Sequence, residues 1–217
     1  MPTVSPRRRR RAPQRRAEAT KTRLLDAATK AFARSGFEGA STLALERAAK
    51  VERGLLVYHF RSRKGLWRAV IDRLADRVGQ SMQRIFSAAG RKDDTVNAVV
   101  RALVVANAET PEFMRIMVIE SRRGSALADY AIEHHIRRFV AALEGALGHA
   151  VSVHDYYILM GACSFFFLSP REAQRVWSAD PTSERFLSQQ TEAVAELMRT
   201  RWSARKEPIV VPLRARA

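Results

Sequence analysis

Between Leu66 and Phe86 the apolar residues fall at positions 66, 67, 70, 71, 74, 78, 82, 85 and 86. Spacing of three and four is the mark of one helix face held against a core, here for about six turns at 3.6 residues per turn. A strand would instead alternate apolar and polar residues, and beyond Gly90 no stretch does so. The chain is therefore expected to be all-α, with about nine or ten helices and no sheet.

Punctuation residues divide that helical pattern. Residues 1–19, MPTVSPRRRRRAPQRRAEA, are rich in arginine and proline and poor in large apolar groups, so they are expected to form a disordered basic arm. From Thr22 the phase of Leu24, Ala28, Ala31 and Phe32 gives a first helix that Ser35-Gly36 closes. Ser41 is a good N-cap for a second helix with Leu45, Ala48 and Ala49 inward, and a break at Lys50-Val51 precedes a third helix over 52–60. Ser62 then caps the long fourth helix. Further on, Asp93 or Asp94, Thr110-Pro111 and Ser183 open helices, and Gly124 and Gly148 close them. Residues 126–147 read as one amphipathic helix, and VHDYYILMGACSFFFL, 153–168, is apolar nearly all round, so more than one of its sides is buried. Four segments result: the arm, a 20–68 domain, a 69–206 domain, and an extended, proline-broken 207–217 tail.

Charge separates the two domains as sharply as periodicity joins them. Residues 1–68 hold 18 basic and 5 acidic side chains, whereas 69–217 hold 20 and 17. Discarding residues 1–23 still leaves 24–68 with 9 basic against 4 acidic, so the arm is not the whole effect. A positive field on one small domain beside a nearly balanced one fits a binder of an anionic polymer joined to an ordinary globular unit. A basic tail that only aids solubility is the plainer alternative.

Residues 22–68 give three short helices, the last two separated by a few residues, which is the sequence form of a helix-turn-helix whose third helix enters the major groove of DNA. Leu45, Ala48, Val51, Leu56 and Phe60 are expected to lock the short helices together, leaving Arg53, Gly54, Leu55, Val57 and Tyr58 facing outward. Arg53 can reach guanine with two hydrogen bonds, giving about 1–3 kcal/mol of discrimination. Leu55 and Val57 suit thymine methyl groups, and Tyr58 a phosphate. Arg63 and Lys64 stand in the first turn of the fourth helix, where the macrodipole disfavours cations. Their placement makes sense if a DNA phosphate docks there.

Residues 22–71 resemble the DNA-binding domain of TetR/AcrR-type transcriptional regulators. The stretches that carry the resemblance are RLLDAATKAFARSGFEGAS, the run A-x-V-E-R-G-L-L-V-Y-H-F, and S-R-K-G-L; the late segment SFFFLSPREAQRVW…DPTSERFLSQQTEAVAELM resembles the family's closing helices. The resemblance implies an N-terminal helix-turn-helix domain, a C-terminal helical ligand-binding and dimerisation domain, a homodimer, a palindromic double-stranded DNA operator and, most often, repression. It adds Ser41, Thr42, Leu43 and His59 to the DNA-contacting set. Four positions depart from the family pattern: Lys50 stands at the turn where glycine is usual, Glu46 where a small alanine packs, Leu43 where a polar residue often reaches DNA, and Gly65 where an acidic residue is common.

For the C-terminal domain, aromatic and methionine residues suggest a cavity that takes an apolar or aromatic small molecule: Phe86, Leu103, Phe113, Met117, Tyr130, Phe139, Tyr157 and Met160, with Asn107, Glu120, His134 and Tyr157 able to orient it. The late helices 153–168 and 184–202 are expected to pair with their copies through Tyr156, Gly161, Phe165 and Phe167 on one and Phe186, Gln190, Val194 and Leu197 on the other.

Other functions find little in the sequence. No nucleophile-elbow, phosphate-loop or metalloprotease spacing occurs, so no catalytic residue and no cofactor are expected. His134 and His135 project about 100° apart on a helix, which argues against a shared metal. The single cysteine, Cys163, reads as a small core residue and fits a reducing cytoplasm. No run is apolar enough to span a membrane. The competing function is a sequence-independent, nucleoid-type DNA binder that works through its arginine arm.

Overall fold

The computed structural model describes residues 6–88 and 94–203, with side chains from residue 14 onward. Among these residues there are eleven α-helices, one π-helical segment and no strand. They form two compact units: one from the residues up to Arg73 together with Arg115–Ala128, the other from Leu74–Met114 together with the residues from Asp129. This differs from a single cut near residue 68, because the second half of a later helix completes the first unit's core. The extended tail expected over 207–217 lies outside the described residues.

The first unit contains α1 (Pro6–Ser35), α2 (Thr42–Ala48), α3 (Leu55–Phe60) and the start of α4 (Arg63–Ala88). The expected arm is thus, from Pro6 onward, the opening of α1. Arginine and alanine are good helix formers, and a proline is tolerated in a first turn, where its missing N–H has no partner to lose. Leu24, Phe32, Leu45, Leu56, Leu66 and Trp67 are buried almost completely and form the core; each such side chain contributes about 1.5–3 kcal/mol of hydrophobic stabilisation. Ala49 joins them, whereas Ala48, expected inward, is exposed. Ser41 caps α2, its hydroxyl accepting from the Ala44 N–H at 3.2 Å. Ser62 does the same for α4 with the Gly65 N–H at 2.9 Å.

The second unit holds most of α4, α5 (Thr95–Glu109), the first residues of α6 (Pro111–Arg122), the end of α7 (Ala126–Ala131), a π segment (Ile132–Ile136), α8 (Arg137–Leu147), α9 (Val153–Leu168), α10 (Pro170–Trp177) and α11 (Glu184–Ser203). The single helix expected over 126–147 is therefore interrupted by a π turn, which inserts one residue and rotates every later position of the helix. Asp94 and Ser152 cap α5 and α9. α5 packs on α9 and α11, which also pack on each other. The shared core runs through Val99, Val100, Leu103, Leu159, Cys163, Val194 and Met198. Val194 and Phe167, expected at a surface between subunits, are buried within the chain. With nearly every α9 position apolar, which of them face inward is decided by packing and not by pattern.

Candidate nucleic-acid interface and cavity

The outer face of α3 is set by how its neighbours hold it. Leu56 is fully buried and anchors the helix, while Val57 and Tyr58, next in sequence, are 51% and 78% exposed. Arg53 and Gly54 are exposed just ahead of them, and Lys64 just after. Leu55, His59 and Phe60 are half-buried, so Leu55 offers less surface to a base than expected. On α2, Leu43 is 40% exposed and Ser41 is exposed, with Thr42 half-buried. The exposed surface of α2 and α3 thus carries the apolar Leu43 and Val57, the Tyr58 phenol and the Arg53 guanidinium, side-chain types that read base edges and grip phosphates.

The turn ahead of α3 is not built from glycine. Lys50 takes a left-handed backbone with φ of 53°, a conformation that costs a side-chain-bearing residue about 1–2 kcal/mol. The Lys50 and Val51 N–H groups return to the carbonyls of Arg47 and Glu46, closing the end of α2. The Arg23 guanidinium donates to the Lys50 carbonyl at 3.2 Å. Gly54 then opens α3 at φ 92° and, lacking a side chain, supplies no cap. Glu46 supplies it from a distance: only 2% exposed, its Oε1 accepts from the Gly54 N–H at 2.8 Å and the Leu56 N–H at 3.0 Å. Its departure from alanine is thereby explained, and so is that of Gly65, where a Cβ would lie 2.1 Å from the Phe60 carbonyl oxygen.

Arg63, expected to meet a phosphate, has partners within the chain. The Arg63 guanidinium donates to the Ala40 carbonyl at 3.0 Å and lies 4.0 Å over the Phe37 ring, with Glu38 at 3.3 Å. It fastens the α1–α2 loop to the start of α4, which leaves Lys64 as the free-standing cation of the pair. Stacking on an aromatic face adds about 0.5–1 kcal/mol of attraction for a planar guanidinium at such a partly exposed site. Glu120 has a similar role. Expected in a ligand pocket, it is instead 1% exposed in the first unit, accepting from the Phe37 N–H at 2.8 Å and the Ser125 hydroxyl at 3.0 Å. Sequence reasoning missed Glu46. Its signal was an acidic residue in the inward phase of α2, eight residues before a helix start with no capping side chain.

The second unit encloses an open cavity of about 520 Å³ between α4, α5, the start of α6, the π segment, α8 and α9. Phe86, Leu103, Asn107, Phe113, His134, Phe139 and Met160 line it, as expected. Met117 and Tyr130 do not: Met117 is buried in the first unit, and Tyr130 stacks on His134 at 4.2 Å. Tyr157 does not either, pointing out of the protein at 69% exposure. Tyr156, expected between subunits, lines the cavity instead, and burial pushes its phenol up to about 12, so it is a neutral hydrogen-bonding group there. The floor is apolar, from Val99, Leu103, Leu143 and Met160, while Asp76, Gln83, His134 and Arg138 stand exposed around it. Burial likewise pushes the Cys163 thiol up to about 12, which keeps it protonated and unreactive. Of the other residues expected between subunits, Gly161, Phe165 and Leu197 are exposed. Phe186 is half-buried against Phe166, and Gln190 donates within the chain to the Ala162 carbonyl at 2.8 Å.

Residues 24–70 match the profile of bacterial regulatory proteins of the tetR family. The fold of the chain is similar to that of a TetR-like transcriptional regulator from Rhodococcus sp. RHA1, at TM-score 0.60 and 12% identity, covering 86% of this chain and 97% of that one. A transcriptional regulator of Aquifex aeolicus VF5 matches at TM-score 0.53 and 19% identity, over 83% and 98%. A candidate fatty acid metabolism regulator of Clostridium perfringens matches at TM-score 0.60 and 16% identity, over 80% and 94%. No curated protein sequence matches the chain. Among the described residues no helix is long and apolar enough to cross a membrane.

Proposed function

We propose, from the match of residues 24–70 to the tetR family of bacterial regulatory proteins, that the chain is a cytoplasmic transcriptional repressor that binds a palindromic operator as a homodimer and is released by a small molecule. The observation that carries the reading is α3: anchored by Leu56, capped from α2, with Arg53, Val57 and Tyr58 outward. Two such helices in a dimer would stand about 34–36 Å apart, one turn of DNA. One head offers little area, and linking two raises affinity through effective concentration.

The exposed ridge of α9, with Tyr157, Gly161 and Phe165 at four-residue spacing, supports a helical interface with a second copy, extended by Leu197 of α11. No Cβ contact surrounds Gly161, so another helix can approach there. The cavity supports an effector with an apolar body and a polar end near Asn107, His134 and Arg138. α4 carries both DNA-head residues and the cavity-lining Phe86, so a ligand against Phe86 can shift it and cost DNA affinity about 1–3 kcal/mol.

Selection of bound sequences from random duplex DNA, with and without saturated fatty acids as first test ligands, checks this directly. An enriched palindrome that the ligand weakens is expected. Binding without enrichment would favour the sequence-independent alternative.

A further inference from the structure

We propose that Glu46 is a positioning residue for base reading: its buried carboxylate, carried on α2, holds the first amides of α3 and so sets where Arg53, Val57 and Tyr58 stand in a DNA groove. The inference rests on the DNA-reading function above and adds a residue that itself touches no DNA.

The need for such a residue comes from the size of α3. Six residues, Leu55–Phe60, form too few internal hydrogen bonds to hold a helix in place, and the first amides of any helix lack partners within it. Gly54 has no side chain to offer them, and at φ 92° it keeps glycine's conformational freedom, checked on its own side of the turn by the Leu55 N–H bond to the Glu52 carbonyl at 3.3 Å. Glu46 Oε1 removes that freedom with two charge-assisted hydrogen bonds, to the N–H groups of Gly54 and Leu56. Arg53 is bonded directly to the residue so held. At the other side of the turn, Arg23 holds the carbonyl of left-handed Lys50. Two charged side chains thus define a turn with no glycine at its first strained position.

A buried carboxylate is an expensive way to fill space, since desolvation opposes it and an apolar side chain would pack without that penalty. What the carboxylate provides and an apolar group cannot is a fixed distance from α2 to the α3 backbone. Leu56 secures α3 to the core by packing, which resists separation more than rotation. The Glu46 contact restrains the rotation that would move Arg53 off its base.

The test uses the full-length protein and three substitutions that separate reach from charge. Glu46→Gln keeps an oxygen at the same reach without charge, Glu46→Asp keeps charge but falls one methylene short, and Glu46→Ala keeps neither. For each, Kd is measured on the duplex enriched by the wild type and on a scrambled duplex, at two salt concentrations. Glu46→Gln is expected to keep the specific-to-scrambled ratio within about threefold of wild type, and Glu46→Asp and Glu46→Ala to lower it about tenfold, with the salt slope unchanged in all three. The Leu56 amide should exchange faster in the Asp variant than in the Gln variant. If Glu46→Ala does not stay folded, the Asp and Gln pair decides the matter. Glu46→Asp reading as well as wild type, Glu46→Gln reading as poorly as Asp, or specific and scrambled affinities falling together would each overturn the inference. Failure of the wild type to enrich any sequence would overturn the DNA-reading function, and this inference with it.

Discussion

The two units bury their charged groups in different ways. In the first, Glu46 and Glu120 each turn a carboxylate onto main-chain N–H groups of a turn or loop, at 2.8–3.0 Å. In the second, Asp155, fully buried at the start of α9, pairs with Arg201 near the end of α11 and with the Ser152 hydroxyl at 2.9 Å. The first arrangement sets backbone positions; the second pins two helix ends while leaving their packing to apolar contacts. A surface that reads base edges needs the former, because hydrogen-bond geometry fails within a few tenths of an ångström. A cavity that accepts a ligand can be made of the latter, since packed helices can slide between neighbouring arrangements.

The largest effect is expected from replacing both Arg53 and Tyr58 with alanine: in a dimer, operator affinity should fall by about 4 kcal/mol, roughly a thousandfold in Kd, while the melting temperature stays near wild type. Fluorescence anisotropy on labelled operator measures the first and thermal unfolding the second. If operator affinity is untouched, α3 is not the reading helix.

Alanine in place of glycine should act with opposite sign in the two units. Gly65→Ala forces a Cβ against the Phe60 carbonyl oxygen and should destabilise the first unit by about 3 kcal/mol. Gly145→Ala, on an exposed stretch of α8 with no atom within 4 Å of its new Cβ, should stabilise the second by about 0.5–1 kcal/mol. Urea unfolding of both variants reads the signs; equal signs would mean that the close approach at Gly65 relaxes without penalty.

Filling the cavity separates its function from that of the head. Leu103→Trp should abolish enhancement of a naphthalene-sulfonate dye's fluorescence and the thermal stabilisation it gives, roughly 2–3 kcal/mol at a hundredfold excess over Kd. Operator binding without ligand should not change. A dye that still binds must occupy some other site.

The smallest effects divide the basic pair at the start of α4. Lys64→Ala should lower the salt slope of DNA binding by about 1 and leave stability alone. Arg63→Ala should leave the slope alone and cost about 1–2 kcal/mol of stability, from the Ala40 carbonyl and the Phe37 ring. Reversed outcomes would return Arg63 to the phosphate-gripping role that its charge alone suggests.

Much of the first unit was legible in the sequence. Ser41 and Ser62 cap helices as their positions imply, Leu45 and Leu56 are buried, and Arg53, Val57 and Tyr58 face outward. These are local properties: caps and helix phase depend on residues a few positions apart. Seven of the eleven residues expected around a pocket line the cavity, Phe86, Leu103, Phe113 and Met160 among them. The misplaced ones were decided by tertiary partners. Met117 and Glu120 belong to the first unit and Tyr130 is stacked on His134, partners that the periodicity does not reveal. On α9, Tyr156, Tyr157 and Phe167 are equally apolar to a pattern count, though one lines the cavity, one faces outward and one is buried.

The amino-acid order by itself determined the all-helical class, the helix-turn-helix and the positive field on one small domain, since periodicity, capping and charge are all summed over neighbours in the chain. Tertiary structure alone decided what the charged and multi-sided residues do. Only folding brings the Glu46 carboxylate to amides eight and ten residues on, Glu120 to a loop 83 residues back, and Arg63 over the ring of Phe37. A side chain's chemistry is written in the sequence, but its partner is chosen by which backbone groups the fold leaves unsatisfied within reach.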